Sequence, residues 1–300
     1  MNNLIDLIEC KNFINSYGGS EVKRKILYKD RVYMVKFPDR VRQKNNSLHY
    51  INNIYSEDIG CKIYKTLGFP VQNTFLAKYT FLDGTVKPVV ACEDFTQDGQ
   101  ELIEFQKLSL QFESSDSMRS RVNIDSIMEV VNNTPQIADK EAFKKLFWDM
   151  FVVDGLIGNR DRNLENFGVL CNADDTLSFS PVYDCGSSLS PLLSEEKIAK
   201  RLSDENEFKR EELNVYSCFR ENRNRILVSE YMKHPHSELR EAIKRMAPKI
   251  TSKLEDIAII INETPMISDN YKSYIKRSLA LRNKMIIQSA YNAIQKESQQ

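Results

Sequence analysis

Apolar positions in the first third of the chain alternate with polar ones at a period of two; further on they recur every three or four residues. Residues 25–28 and 32–37 read as two strands of a hairpin, separated by the polar turn Lys29-Asp30-Arg31. Residues 48–67 read as a helix, with Ile51, Ile54, Ile59, Ile63 and Leu67 near helical spacing before Gly68 and Pro70 stop it. Two more strands are expected at 75–81 and 87–92, around the turn signal Asp83-Gly84.

After Phe95 the polar break Gln97-Asp98-Gly99 marks a boundary, and helical periodicity takes over. The strongest helix spans residues 140–157, capped by Asp139, with Phe143, Leu146, Phe147, Met150, Val153 or Asp154, and Ile157 on one face. Further helices are expected at 209–228, 237–261 and 269–294, and residues 114–120 form a serine-rich polar connection. The expected class is α+β: residues 1–95 as strands with one helix, residues 96–300 as a mostly helical unit.

At 300 residues the chain can bury an ample core without disulfide or metal staples. Lysine plus arginine and aspartate plus glutamate both number 42, so neither direct nucleic-acid binding nor a membrane surface is expected, and any phosphate site must be local. Six scattered cysteines lack zinc or disulfide spacing and read as reduced thiols of a cytoplasmic protein. No secretory leader and no membrane-spanning run is read in the sequence.

The chemistry gathers at residues 159–166, Asn-Arg-Asp-Arg-Asn-Leu-Glu-Asn. Phosphoryl transfer needs clamped phosphates, metal held by hard oxygens and a base beside the acceptor hydroxyl. Kinases supply base and metal ligand as H-R-D-x-x-x-x-N, and Asp161 and Asn166 keep that interval. Downstream, Asp184-Cys185-Gly186 stands as a D-x-G element that adds a second oxygen ligand.

Upstream, Lys36 lies on the strand face of Val32 and Met34, where apolar residues are expected, and Glu57 on the following helix is its expected ion-pair partner. Tyr17-Gly18-Gly19-Ser20 offers a turn whose backbone N–H groups can face phosphate. An isolated Asp-x-x-x-x-Asn interval describes many loops. Here lysine, glutamate, loop and D-x-G follow in kinase order, which gives the interval its weight. The sequence leaves Arg160 and Arg162 between loop support and solvated charge; His49, His234 and His236 read as unrelated to the cluster, the latter two as surface residues, and Trp148 as packing.

Residues 158–167 together with Tyr183-Asp184 resemble the catalytic and metal segments of HipA-like serine/threonine protein kinases. Residues 16–23 resemble that family's nucleotide loop, and Cys92-Glu93-Asp94-Phe95 its lobe connection. The length is similar to the compact branch that includes HipT toxins and the CtkA-type kinase. The resemblance implies a two-lobed protein-kinase-like fold and transfer of the ATP γ-phosphoryl group to a protein hydroxyl, with Asp161 as base. It also implies Asn166 and Asp184 on Mg2+, Lys36 on phosphate, and Gly18, Gly19, Ser20 and Lys23 over the phosphates. Glu93 and Phe95 would meet adenine through their backbone, Asn163 is a candidate ATP contact, and Ser16 and Ser20 are candidates for autophosphorylation. Two glycines in the nucleotide loop, Asn163 in place of a common histidine, and Cys185 inside the D-x-G depart from the family pattern.

Implied partners are a protein substrate, from the translation machinery or a host, and an antitoxin if the role is that of a toxin; export as an effector stays open. Two rival readings remain at this stage: a small-molecule phosphotransferase of aminoglycoside or lipid type, which would use the same base and metal residues, and a non-catalytic nucleotide-binding scaffold.

Overall fold

A computed structural model describes residues 4–13, 23–38, 40–42, 48–50, 52–96, 99–112 and 122–299. The hairpin of β2 (Lys23–Tyr28) and β3 (Arg31–Lys36) turns on Lys29 and Asp30, whose φ values of 49° and 60° match a two-residue turn with the twist of its strands. With β1 (Lys11–Phe13), β6 (Thr74–Thr80) and β7 (Val86–Glu93) they form a five-stranded antiparallel sheet in the order β1-β2-β3-β7-β6. Strand alternation sends Val35, Val89 and Ala91 into a small apolar layer with Leu7, Phe37 and Tyr79. On the opposite face, Val90 and Cys92 join the main core beneath α1 (Asn53–Thr66), which also packs on α8 (Ser237–Glu263).

The expected helix at 48–67 starts later. Leu48–Tyr50 form strand β5, paired with β4 (Arg40–Arg42), and α1 begins at Asn53. Apolar spacing at 51 and 54 mimics a helical turn there, whereas cross-strand pairing of 40–42 with 48–50 takes the backbone hydrogen bonds.

The remainder is helical around a three-stranded sheet of β8 (Glu101–Glu104), β9 (Gly168–Cys171) and β10 (Leu177–Phe179). Its central element is α4 (Lys140–Ile157), capped by the Asp139 carboxylate accepting from the Ala142 N–H at 2.8 Å and buried on nearly every side from Phe147 to Ile157. Around it pack α2 (Phe105–Ser109), α3 (Ile124–Asn133) and aromatic contacts such as Phe105 to Phe167 at 4.9 Å and Phe147 to Phe219 at 5.1 Å. The first residues of α2 grip the loop at 158–167, because the Phe105 N–H donates to the Phe167 carbonyl and the Gln106 N–H to the Leu164 carbonyl.

The C-terminal part runs through α5 (Glu195–Ser203), α6 (Glu205–Leu213), β11 (Tyr216–Glu221), β12 (Asn224–Leu227), α7 (Val228–Tyr231), α8, α9 (Asp269–Arg282) and α10 (Gln288–Glu297). The expected helix at 209–228 is thus replaced after Leu213 by a hairpin: Val215, Ser217 and Phe219 are buried at a period of two, and Asn222 and Arg223 turn with φ of 48° and 68°. The helix expected over 269–294 is interrupted by a π-helical stretch, Asn283–Ile287. His236 is not a plain surface residue but half-buried, its ring 4.4 Å from that of Trp148. The serine-rich connection at 114–120 lies outside the described residues. Among the described residues no helix is long and apolar enough to cross a membrane.

Helix α4 ends at Gly158, whose φ of 66° lies in the left-handed region. A Cβ there would stand 2.7 Å from the Arg282 guanidinium, which is buried and donates to Glu212 Oε2 at 2.6 Å and to the Leu156 carbonyl at 3.3 Å. Gly158→Ala should therefore lower unfolding free energy by at least about 2 kcal/mol, from left-handed strain plus displacement of that ion pair. Urea denaturation reads this directly; an unchanged midpoint and slope would show that the close approach carries no constraint.

Candidate active site

Lys36 closes β3 on the face turned to α1, opposite Lys23 in β2 and Val90 in β7. Its ammonium is only 5% exposed and donates to Glu57 Oε2 at 3.0 Å and to Asp184 Oδ1 at 3.1 Å. A lysine in that position joins three separate segments: the sheet, α1 and the D-x-G element. Asp184 takes a left-handed φ of 55° instead of capping a helix. Cys185 presses on α1 so closely that a Cβ at Gly60 would meet its Cβ at 2.6 Å, and a Cβ at Gly186 would meet Glu57 Oε2 at 3.1 Å. A small residue between Asp184 and Gly186 therefore suits the tight seat against the helix.

The loop at 158–167 is built around Asp154, a carboxylate inside α4. Arg162, 1% exposed, donates from Nε to Asp154 Oδ2 at 2.9 Å and from Nη2 to Oδ1 at 3.2 Å. Tyr64 and Asn159 also donate to Asp154 Oδ1, at 2.8 and 3.0 Å. The other arm of the guanidinium reaches the Asn166 carbonyl at 2.7 Å and the Tyr183 carbonyl. One buried side chain thereby fixes the backbone beside both Asn166 and Asp184.

Asp161 is exposed at the loop surface, with its carboxylate accepting from the Asn163 amide at 3.0 Å. The Asn166 amide nitrogen donates to the Asp161 carbonyl at 2.6 Å, so its side-chain oxygen is turned the other way. Among the described residues no group of three or more histidine, cysteine or acidic side chains forms a metal cluster. One carboxylate from Asp184 and one amide oxygen from Asn166 make a hard, sparse donor set, which fits a cation that keeps waters and phosphate oxygens, as Mg2+ does.

The charges are mutually tuned. Burial pushes the Asp184 carboxyl up, but the Lys36 ammonium, then Arg162 and Lys23, outweigh it and hold the group below its ordinary value. Burial raises the Glu57 carboxyl, with the Lys36 charge opposing and the Asp184 charge adding to the rise. Asp161 is also raised, first by burial and then by the nearby Asp184 charge, against the hydrogen bond from Asn163.

At the end of β7, the Glu93 N–H donates to the Asn73 carbonyl at 2.9 Å, and its carbonyl accepts from Gln72 Nε2 at 2.9 Å. The Phe95 ring faces that of Tyr183 at 5.8 Å, which brings the lobe connection beside the D-x-G segment. Ser16, Gly18, Gly19 and Ser20 lie outside the described residues.

The sequence reading placed Asp154 only as an option on the apolar face of α4, named Tyr183 only beside Asp184, passed over Tyr64 and Gln72, and left Arg162 undecided. Asp154 had a legible signal, one of two carboxylates within an apolar run of α4, which must find a buried partner. Gln72 and Tyr64 had none, since their roles depend on tertiary neighbours.

Residues 15–254 match the family model described as HipA-like C-terminal domain. Over 293 residues the chain is 30% identical to the serine/threonine-protein kinase CtkA of Helicobacter pylori, spanning 96% of this chain and 87% of that protein. The crystal structure of a Helicobacter pylori proinflammatory kinase CtkA superposes with a TM-score of 0.88 at 30% identity, covering 99% of both chains. A HipA of Shewanella oneidensis, solved in a toxin–antitoxin complex with HipB and operator DNA, gives a TM-score of 0.56 at 15% identity. That match covers 95% of this chain and 68% of the other, and shows the shared fold.

Removing Arg162 would strand the Asp154 carboxylate among apolar side chains. Arg162→Met should cost about 3–5 kcal/mol of stability, the range for breaking a buried ion pair on one side. Pairing it with Asp154→Leu should recover part of that loss. Chemical denaturation of the single and double variants tests the pair; additive losses would contradict it.

Proposed function

Because the chain belongs to the family of the HipA-like C-terminal domain, we propose that this HipA-like kinase uses ATP and transfers its γ-phosphoryl group to a serine or threonine of a protein. The observation that carries the reading is the Lys36 ammonium touching Glu57 and Asp184 at once, because that contact draws sheet, helix and metal segment onto one point. We place the lobe boundary between residues 95 and 96, with the nucleotide between the lobes.

In this reading Glu57 orients Lys36 toward the phosphates, and Lys23, its cross-strand neighbour, adds positive charge over them. Gly18, Gly19 and Ser20 would cover the phosphates from above. Phe95 borders the adenine through its backbone, whereas the Glu93 N–H and carbonyl are taken by Asn73 and Gln72, so Glu93 holds the lobe connection instead of meeting adenine. Asn166 and Asp184 would hold Mg2+, which neutralises charge on the transferring group.

Asp161 accepts the proton of the acceptor hydroxyl as the oxygen bonds to the γ-phosphorus and the bond to the bridging oxygen of ADP breaks. Asn163, with its amide on the Asp161 carboxylate, positions this base, and we assign it that role in preference to ATP contact. Autophosphorylation at Ser16 or Ser20 belongs to the same proposal. So does a toxin role with an antitoxin partner, or an effector role acting on a host protein.

Incubation with γ-labelled ATP and Mg2+ in a cell lysate should place label in protein; label confined to small molecules would favour the rival phosphotransferase. Asp161→Asn should lower turnover by about 100- to 10,000-fold while nucleotide affinity stays within about twofold. Asp184→Ala should abolish the Mg2+ dependence of nucleotide binding measured by calorimetry.

The base must be ionised to act, and Asp161 binds its proton more tightly than an ordinary aspartate. Activity should therefore fall on acidification at a pH above the usual aspartate range. Asn163→Ala removes a hydrogen bond that favours the carboxylate form, so this acid limb should move to still higher pH. A pH profile of kcat/KM with an unmoved limb in that variant would remove Asn163 from the role.

A further inference from the structure

The β11–β12 hairpin runs beside the catalytic loop, and neither family resemblance nor the phosphate site accounts for its outer face. Arg160, next to the base, donates to the Asn214 carbonyl at 3.5 Å, just ahead of β11. Along the strand Val215, Ser217 and Phe219 are buried, while Tyr216, Cys218 and Arg220 are only partly covered. The register sets Arg220 directly opposite Arg225, so two guanidinium groups share one face. Like charges directly opposite destabilise a strand pair, which makes the arrangement costly without an anion between them.

Both arginines are anchored. Arg225 lies over the Tyr216 ring at 5.1 Å, and Arg220 donates to the Arg223 carbonyl at 2.9 Å. Among the described residues neither forms an ion pair with a carboxylate. The nearby acids are engaged elsewhere, Glu221 with the Tyr231 hydroxyl at 2.8 Å and Glu230 with Lys233 at 2.7 Å. Burial raises the Cys218 thiol, with the Asp161 charge adding to the rise and the Arg225 and Arg220 charges opposing it. Beyond Arg225 opens a cleft of about 480 Å³ bordered by Asn224, Leu227, Tyr231 and His236 and also by the carboxylates Glu221 and Glu230, so it suits uncharged rather than acidic residues of an extended segment.

We propose that Arg220 and Arg225 form an acceptor-selecting surface that takes carboxylate side chains of an acidic polypeptide segment flanking the serine or threonine presented to Asp161. The inference rests on the kinase reading above. Paired rigid guanidinium groups suit carboxylates through bidentate hydrogen bonds, and the contact of the hairpin with the catalytic loop, Arg160 to the Asn214 carbonyl, ties that affinity to choice of acceptor.

The test compares serine peptides differing only in flanking Asp and Glu, their Asn and Gln isosteres, or Lys. With the full chain, kcat/KM should be up to about fivefold higher for the acidic peptide than for the isostere, the upper value for an exposed ion pair. Arg220→Glu with Arg225→Glu should invert the order in favour of the lysine peptide, with KM for ATP unchanged. Such an inversion is something that simple damage to the fold would not produce. Equal rates on all three peptides, or an order unmoved by the charge reversal, would overturn the proposal.

Fluorescence anisotropy with the same labelled peptides reads the surface without catalysis. If no peptide is phosphorylated yet the acidic one still binds more tightly and loses that advantage on charge reversal, the kinase reading fails and the surface stands. If phosphorylation depends on Asp161 but ignores peptide charge, the surface fails and the kinase reading stands.

Discussion

A carboxylate inside an apolar helix is costly to bury without a partner, and Asp154 obtains one from a residue eight positions on. Its pairing with Arg162 is satisfied from several directions, since Tyr64 on α1 and Asn159 at the loop entrance donate to the same carboxylate. Desolvation makes this arrangement unforgiving: each group is stable only while the other is in place. The consequence reaches beyond stability. Held at one end by Asp154, the guanidinium presents its other arm to the carbonyls of Asn166 and Tyr183 and fixes the two backbone segments that carry Asn166 and Asp184.

On the sheet a second charged group performs the joining. Lys36 is drawn from the sheet by two carboxylates of unequal character, Glu57 buried at 1% exposure and Asp184 partly open. The open one is held ionised and the buried one is pushed toward its neutral form, so the positive charge is shared unevenly. Asp161 sits outside this pair, close enough to Asp184 to have its proton affinity raised and steadied by Asn163. In the proposed reading, a carboxylate of raised proton affinity beside one of lowered affinity is the division of labour that proton abstraction and cation binding would require.

Much of the site was legible because its parts are local or ordered along the chain. The Asp161 to Asn166 interval, the D-x-G at 184–186 and a lysine at an apolar strand position are each visible in a few residues. Helix α4 and its Asp139 cap followed from periodicity alone. The hairpin at 216–227 did not, because Glu, Arg and Leu nearby favour helix and the period-two burial of Val215, Ser217 and Phe219 competes with it over a short span. Likewise Leu48–Tyr50 went to a strand once residues 40–42 were available to pair.

What the sequence by itself determined was the order of chemical groups and the class of elements that carry them, because residue type, spacing and alternation are properties of neighbours along the chain. Only the tertiary structure decided which charges meet. The embrace of Asp154 by Arg162, the seating of Cys185 against Gly60, and the facing of Arg220 with Arg225 each join positions whose proximity comes from packing or register. Burial then sets the strength of those encounters, since the same ion pair is weak in water and binding in a dry core.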